Sequence, residues 1–121
     1  MYINQESREK HSVQAYSEKE IQIDSVIYKQ NLIVSRHEIV SDWNVKSILD
    51  LNESNVQPLL QYQPTIVLIG HSQLGKFPPF SLMEQFTKKR IGLECMSIGA
   101  ACRTYNILLS ELREVVLAVI F

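Results

Sequence analysis

The chain has 121 residues, 45% apolar and 21% charged, with 12 Lys and Arg against 13 Asp and Glu for a formal net charge of −1. That length suits one domain with its own core, needing no metal or disulfide staple, and the composition excludes global disorder. The balanced charge argues against a nucleic-acid partner, which calls for a basic excess on one face, and no apolar run nears the ~18 residues of a membrane span.

Residues 1–10 are polar and read as a flexible N-terminal lead-in, with 11–121 as a single α/β domain. The start Met1-Tyr2-Ile3-Asn4-Gln5-Glu6-Ser7-Arg8 lacks the apolar stretch of a signal peptide. Period-two alternation at Val13, Ala15 and at Ile21, Ile23, then the apolar run Leu32-Ile33-Val34, predicts short strands in a small N-terminal β layer, a meander or hairpin. Asn52-Glu53-Ser54-Asn55 offers capping residues before Val56, Leu59 and Leu60, which predicts a short helix that Pro64 stops.

The second half is more regular. Thr65-Ile66-Val67-Leu68-Ile69 is apolar or β-branched throughout, as a central strand covered on both faces requires, and Gly70 ends it. The segment 71–79 holds Gly75, Pro78 and Pro79 and reads as a loop, after which Ser81 is a candidate cap. Leu82, Met83 and Phe86 mark a helix whose end carries Lys88-Lys89-Arg90, cations that complement the helix dipole, with Gly92 as the expected terminating turn. Leu93-Glu94-Cys95-Met96 is a short strand, and Ser97 caps a helix running to about Leu112. Ala101, Tyr105, Leu108 and Leu112 are its expected buried face, with Arg103, Asn106 and Ser110 on the polar side. The run 115–121 is too short to cross a bilayer and reads as a buried strand. Its short linker predicts that this last strand runs antiparallel to its neighbour.

The alternation of strands and helices favours an α/β sheet of mostly parallel strands with crossover helices packed on it, beside a small N-terminal β layer. Cys95 and Cys102 fit neither a zinc pattern nor a C-x-x-C motif, so the expectation is reduced thiols in a cytoplasmic protein.

The string Met96-Ser97-Ile98-Gly99-Ala100-Ala101-Cys102-Arg103-Thr104-Tyr105-Asn106, followed by Glu111 and Arg113 and an apolar ending, resembles a signature of the mitochondrial complex I assembly factor three family and its bacterial and archaeal relatives. The strand at 66–70, the Pro-bearing loop after it and Trp43 match as well. The resemblance covers about 11–121, and Ala100 to Asn106 is its most specific part. Two triplets depart from the family pattern: Gly70-His71-Ser72 stands where Gly-Thr-Gly is usual, and Met96-Ser97-Ile98 where Met-Asp-Thr is usual. The resemblance implies a three-layer fold with a mixed five-stranded sheet whose last strand is antiparallel. It implies no established activity for the bacterial members and an assembly role for the mitochondrial one.

Three constellations are candidates for function. Gly70, His71, Ser72, Ser97 and Arg103 follow two strand ends, where α/β sheets place ligands and where helix N-termini favour anions; the plain alternative is glycine turns and a serine cap. Cys102 beside Arg103 is either a thiol activated with His71 as base or, as is commoner, an inert buried cysteine. Ala101, Cys102, Arg103, Tyr105, Asn106, Glu111 and Arg113 form a signature suited to clamping loops or facing a partner. His11, His37 and His71 show no metal-ligand spacing, so no metal or cofactor is expected. The first expectation is a non-catalytic, assembly-factor-like interaction domain with an unknown protein partner and a homodimer as one option. The alternative is a small enzyme or anion- or metabolite-binding protein using the loops after Gly70 and Met96.

Overall fold

The computed structural model describes residues 2–3 and 9–121; residues 1 and 4–8, most of the expected lead-in, lie outside it. The chain first builds an antiparallel sheet in the order β1 (Tyr2–Ile3), β2 (Val13–Tyr16), β3 (Ile21–Ile23) and β4 (Val26–Tyr28). The two residues between β3 and β4, Asp24 and Ser25, have φ of 51° and 69°. Two left-handed residues make the tight hairpin turn whose twist matches its strands. Val13, Ala15, Ile21 and Ile23 are all buried, as the alternation requires.

Leu32–Val34 (β5) leaves this layer and enters the second sheet, whose order is β6 (Ile39–Val40), β5, β9 (Val115–Ile120), β7 (Ile66–His71), β8 (Gly92–Met96). All three β5 residues are buried, because this sheet is covered on both faces. β9 lies parallel to β7, with Leu68 opposite Leu117, and antiparallel to β5, with Ile33 opposite Ala118. The antiparallel expectation for the last strand therefore holds toward β5 and fails toward β7. A short linker sets a strand antiparallel only to the helix before it; that helix already opposes β8, so β9 emerges parallel to β8 and β7.

β7 connects to β8 through α2 (Phe80–Lys88), and β8 returns past β7 to β9 through α3 (Ile98–Ser110). Right-handed crossovers in opposite directions put the two helices on opposite faces. The core divides accordingly. Leu68, Val115, Leu117 and Val119 pack with Ile98, Ala101, Cys102, Tyr105 and Leu109 of α3 and with Val13 and Ile21 of the small sheet. Val67, Ile69, Val116, Ala118 and Ile120 pack with Leu82 and Phe86 of α2, with Trp43, and with Ile48 and Leu59. Ile48 belongs to a 3-10 turn (Ile48–Asp50) and Leu59 to α1 (Gln57–Leu60), a single turn. Trp43 is tied down by its indole N–H, which donates to the Asn55 carbonyl at 2.9 Å.

Several local expectations shift. α2 begins after Pro79, not at Ser81, and has no side-chain cap. Its end is turned by Arg90 at φ 59°, while Gly92 is already the first residue of β8. The buried face of α3 is Ile98, Ala101, Cys102, Tyr105, Asn106 and Leu109, so Asn106 lies inside, and Leu112 lies beyond the helix, 69% exposed. Asn31 was given no role by sequence pattern, yet its amide accepts from the Phe121 N–H at 2.8 Å and donates to the Val45 carbonyl, pinning the end of β9.

Candidate functional site

β7 and β8 are parallel neighbours with Gly70 opposite Met96, so their following loops share one rim of the sheet. The turn after β2 closes over the same rim. Between these three segments lies an open cleft of about 610 Å³, lined among others by Tyr16, His71, Ser72, Phe77, Ser97 and Arg103. Four of the five expected ligand-site residues therefore meet in one concavity. Gly70 does not line it and lies beneath α3 instead: a Cβ there would stand 2.9 Å from the Ala101 Cβ and 3.1 Å from the Ile98 Cα. Its lack of a side chain lets the helix sit down on the strand and sets the cleft's floor.

Arg103 is oriented from a distance. Its Nη1 donates to the Tyr16 hydroxyl at 2.6 Å, linking residues 87 apart in sequence. Tyr16 is itself buried, so the guanidinium is held by an immobile partner. Gly99 makes room for the pair; its absent Cβ would lie 3.0 Å from Tyr16 Cε2 and 3.2 Å from Arg103 Nη1. Ser97 is the N-cap of α3, its hydroxyl accepting from the Ala100 N–H at 3.2 Å. His71 is buried, and its Nδ1 accepts from the Gln73 N–H at 3.2 Å, which leaves the proton on Nε2 of the neutral ring. Burial holds its pKa below the usual 6.5, so the ring is uncharged at neutral pH.

The rest of the helix signature turns inward. Cys102 is fully buried, does not line the cleft, and burial pushes its thiol up to about 12 despite Arg103 next to it. The activated-thiol reading therefore fails: desolvation outweighs the neighbouring cation. Cys95 does line the cleft, but burial, with Glu94 adding to it, pushes its thiol up to about 11. Asn106 accepts from the Val13 N–H at 2.8 Å and donates to the Val13 carbonyl at 2.9 Å, satisfying both backbone groups of that residue with one amide. Tyr105 donates its hydroxyl to the His11 carbonyl at 2.9 Å, and burial raises its pKa. Glu111 and Arg113 are exposed at the far end of α3, roughly 12 Å along the axis from Arg103, and take no part in the cleft.

Sequence reasoning missed Tyr16, Leu74, Lys76 and Phe77, all of which line the cleft. An aromatic residue at the end of a strand gives no sign of the helix it will meet. Leu74 and Phe77, isolated within a turn-rich segment, carry no periodicity, yet they are 99% and 63% exposed, with Phe80 72% exposed just beyond. His11 and His37 are used elsewhere: His11 Nδ1 pairs with the Ser35 carbonyl at 2.7 Å, and His37 Nε2 with Glu114 at 2.9 Å. Among the described residues no three His, Cys, Asp or Glu side chains gather where they could hold a metal ion.

Residues 13–120 match a family described as "Protein of unknown function (DUF498/DUF598)". The chain is 29% identical over 89 residues to the 13 kDa major membrane protein of Francisella tularensis subsp. holarctica, covering 73% of this chain and 72% of that one. It is 33% identical over 85 residues to the NADH dehydrogenase (ubiquinone) 1 alpha subcomplex assembly factor 3 of Drosophila melanogaster, which is 67% of this chain and 43% of the fly protein. The chain thus spans less than half of that relative. The solution NMR structure of a Xanthomonas campestris protein superposes with a TM-score of 0.82 at 32% identity, covering 90% of this chain and 83% of that one. The relationship expected from Ala100 to Asn106 is thereby found. Although one relative is named a membrane protein, no helix among the described residues is long and apolar enough to cross a membrane.

Proposed function

The chain belongs to the DUF498/DUF598 family of proteins of unknown function and is related to a complex I assembly factor; on that premise we propose that it is a non-catalytic, assembly-factor-like domain that holds a partner protein at the rim beyond β7 and β8. One observation carries the reading: Leu74, Phe77 and Phe80 are 99%, 63% and 72% exposed, and the first two line the cleft. Large apolar side chains left exposed within one short stretch of chain beside a polar rim are the mark of a contact surface, and aromatic anchors carry much of the energy in such contacts. A catalytic reading has less support. Both thiols are held well above neutrality, and among the described residues no hydrogen bond joins the His71 ring to a hydroxyl, thiol or carboxyl group of the cleft. The protein works in the cytoplasm, without cofactor or nucleic acid, and its partner is another protein or a second copy of itself.

The test is affinity copurification from the native host with the wild type and with a Leu74→Ser/Phe77→Ser double variant of unchanged thermal midpoint. A discrete protein recovered by the wild type and lost by the variant supports the reading. An identical set of proteins recovered by both overturns it.

A second reading has the oriented Arg103 in its favour: the cleft holds a small anionic metabolite. A thermal-shift screen of anionic metabolites would then find a compound that raises the midpoint of the wild type and leaves Arg103→Gln unmoved.

A further inference from the structure

We infer that the partner element seated in the cleft presents a carboxylate beside a large apolar side chain, with Arg103 receiving the carboxylate and Leu74 and Phe77 covering the apolar group. The inference rests on the interaction reading above and adds the chemistry that the partner must bring.

The arginine is the first ground. Its bond to the Tyr16 hydroxyl engages one of the five guanidinium donors and restrains the head of the side chain at Nη1. A side chain restrained in advance loses less rotamer freedom when it meets an acceptor, and a planar carboxylate fits the guanidinium fork in a bidentate manner. The arginine remains exposed, so an incoming group can reach it.

Charge is the second ground. The ionised side chains lining the cleft are Arg103 and Lys76 against Glu18, while His71 is kept neutral by burial. The excess is one positive charge, which a single carboxylate neutralises and a phosphate dianion would overshoot. Shape is the third. About 610 Å³ holds one or two side chains, and Leu74, Phe77, Met96 and Ile98 supply apolar wall beside the arginine. A concave site with one fixed guanidinium suits a discrete group; a lipid surface is met by a convex, multiply basic face.

The experiment is a titration followed by amide NMR spectra of the labelled protein, with N-acetyl-phenylalanine and N-acetyl-phenylalanine amide as matched probes. The acid is expected to shift the Ser72, Gly99 and Arg103 amides with a millimolar midpoint, and the amide to bind at least about tenfold more weakly. Arg103→Gln should erase that difference, and Arg103→Lys should keep part of it, with spectra confirming that both variants are folded. Equal binding of acid and amide, or a preference for the acid that survives in Arg103→Gln, overturns the inference. So does binding confined to phosphatidylglycerol vesicles. If acid and amide bind alike while the Leu74→Ser/Phe77→Ser variant still loses its copurified partner, the carboxylate inference falls and the interaction reading stands. If the acid is preferred but copurification is indifferent to the double variant, the interaction reading falls and the cleft is a small-molecule site.

Discussion

His71 shows how one residue couples the cleft to the stability of the fold. It stands at the end of β7, buried, with Nδ1 occupied by the Gln73 N–H. Its folded-state pKa lies below the 6.5 of a free imidazole because burial disfavours the cation. Between the two values the unfolded chain carries a proton that the folded chain does not, so stability rises with pH across that interval. Acidification below about 6.5 must then cost stability, and the loss continues down to the folded-state value. His71→Asn preserves an acceptor for Gln73 and removes the titration. Urea midpoints measured from pH 7.5 to 5 should fall more steeply for the wild type than for the variant. Parallel curves would mean that the imidazole is as easily charged in the folded protein as in water.

At the scale of elements, α3 fastens the small sheet to the large one. Tyr105 and Asn106 reach from the helix to the His11 and Val13 backbone, 94 and 93 residues away. Val13 sits at a register shift in the β2–β3 pairing, where the ladder is irregular. Asn106→Ala leaves a buried N–H and a buried carbonyl without partners, which should cost about 2–4 kcal/mol. Native-state hydrogen exchange should show the loss concentrated in β2, β3 and β4, whose amides would exchange through a local opening. Those of β7 and β9 would follow only the drop in global stability. An equal change in both sheets would show instead that the small sheet unfolds with the rest. Asn106 also marks the limit of what pattern reading can reach. β7 and β9 were legible because a strand covered on both faces is apolar without interruption, and the start of α3 was legible from Ser97. Periodicity puts Asn106 on the polar side because it sorts residues by side-chain polarity. The amide is buried because it bonds the Val13 N–H and carbonyl, a property of three-dimensional pairing and not of local spacing. The cleft was legible in the same partial way. His71, Ser72, Ser97 and Arg103 follow from strand ends and caps, whereas the Tyr16 hydroxyl that orients Arg103 comes from the other end of the chain.

At the scale of the whole molecule, the question is whether the two cores on either face of the large sheet unfold together. Strand β9 serves both: Val115, Leu117 and Val119 enter one, Val116, Ala118 and Ile120 the other. β7 divides in the same way, with Leu68 on one face and Val67 and Ile69 on the other. Removing either face would expose the backs of these two strands, so neither core can persist alone, and one cooperative transition is expected for a chain of this size. Each face carries its own reporter. The one tryptophan, Trp43, lies in the α2-side core, and Cys102 is fully buried in the α3-side core. Urea titration followed by Trp43 fluorescence and by the reactivity of Cys102 toward a thiol reagent, in a Cys95→Ser background, should give one midpoint within error. Leu117→Ala should lower that midpoint for both probes by the equivalent of about 2–5 kcal/mol, since the cavity opens in the shared strand. Reaction at Cys102 in urea too dilute to move the fluorescence would show that the face bearing α3 and the small sheet opens independently. The single-domain reading would then give way to two units sharing a sheet, and the cleft, which draws Tyr16 from the small sheet and His71 from the large one, would lie on the boundary between them.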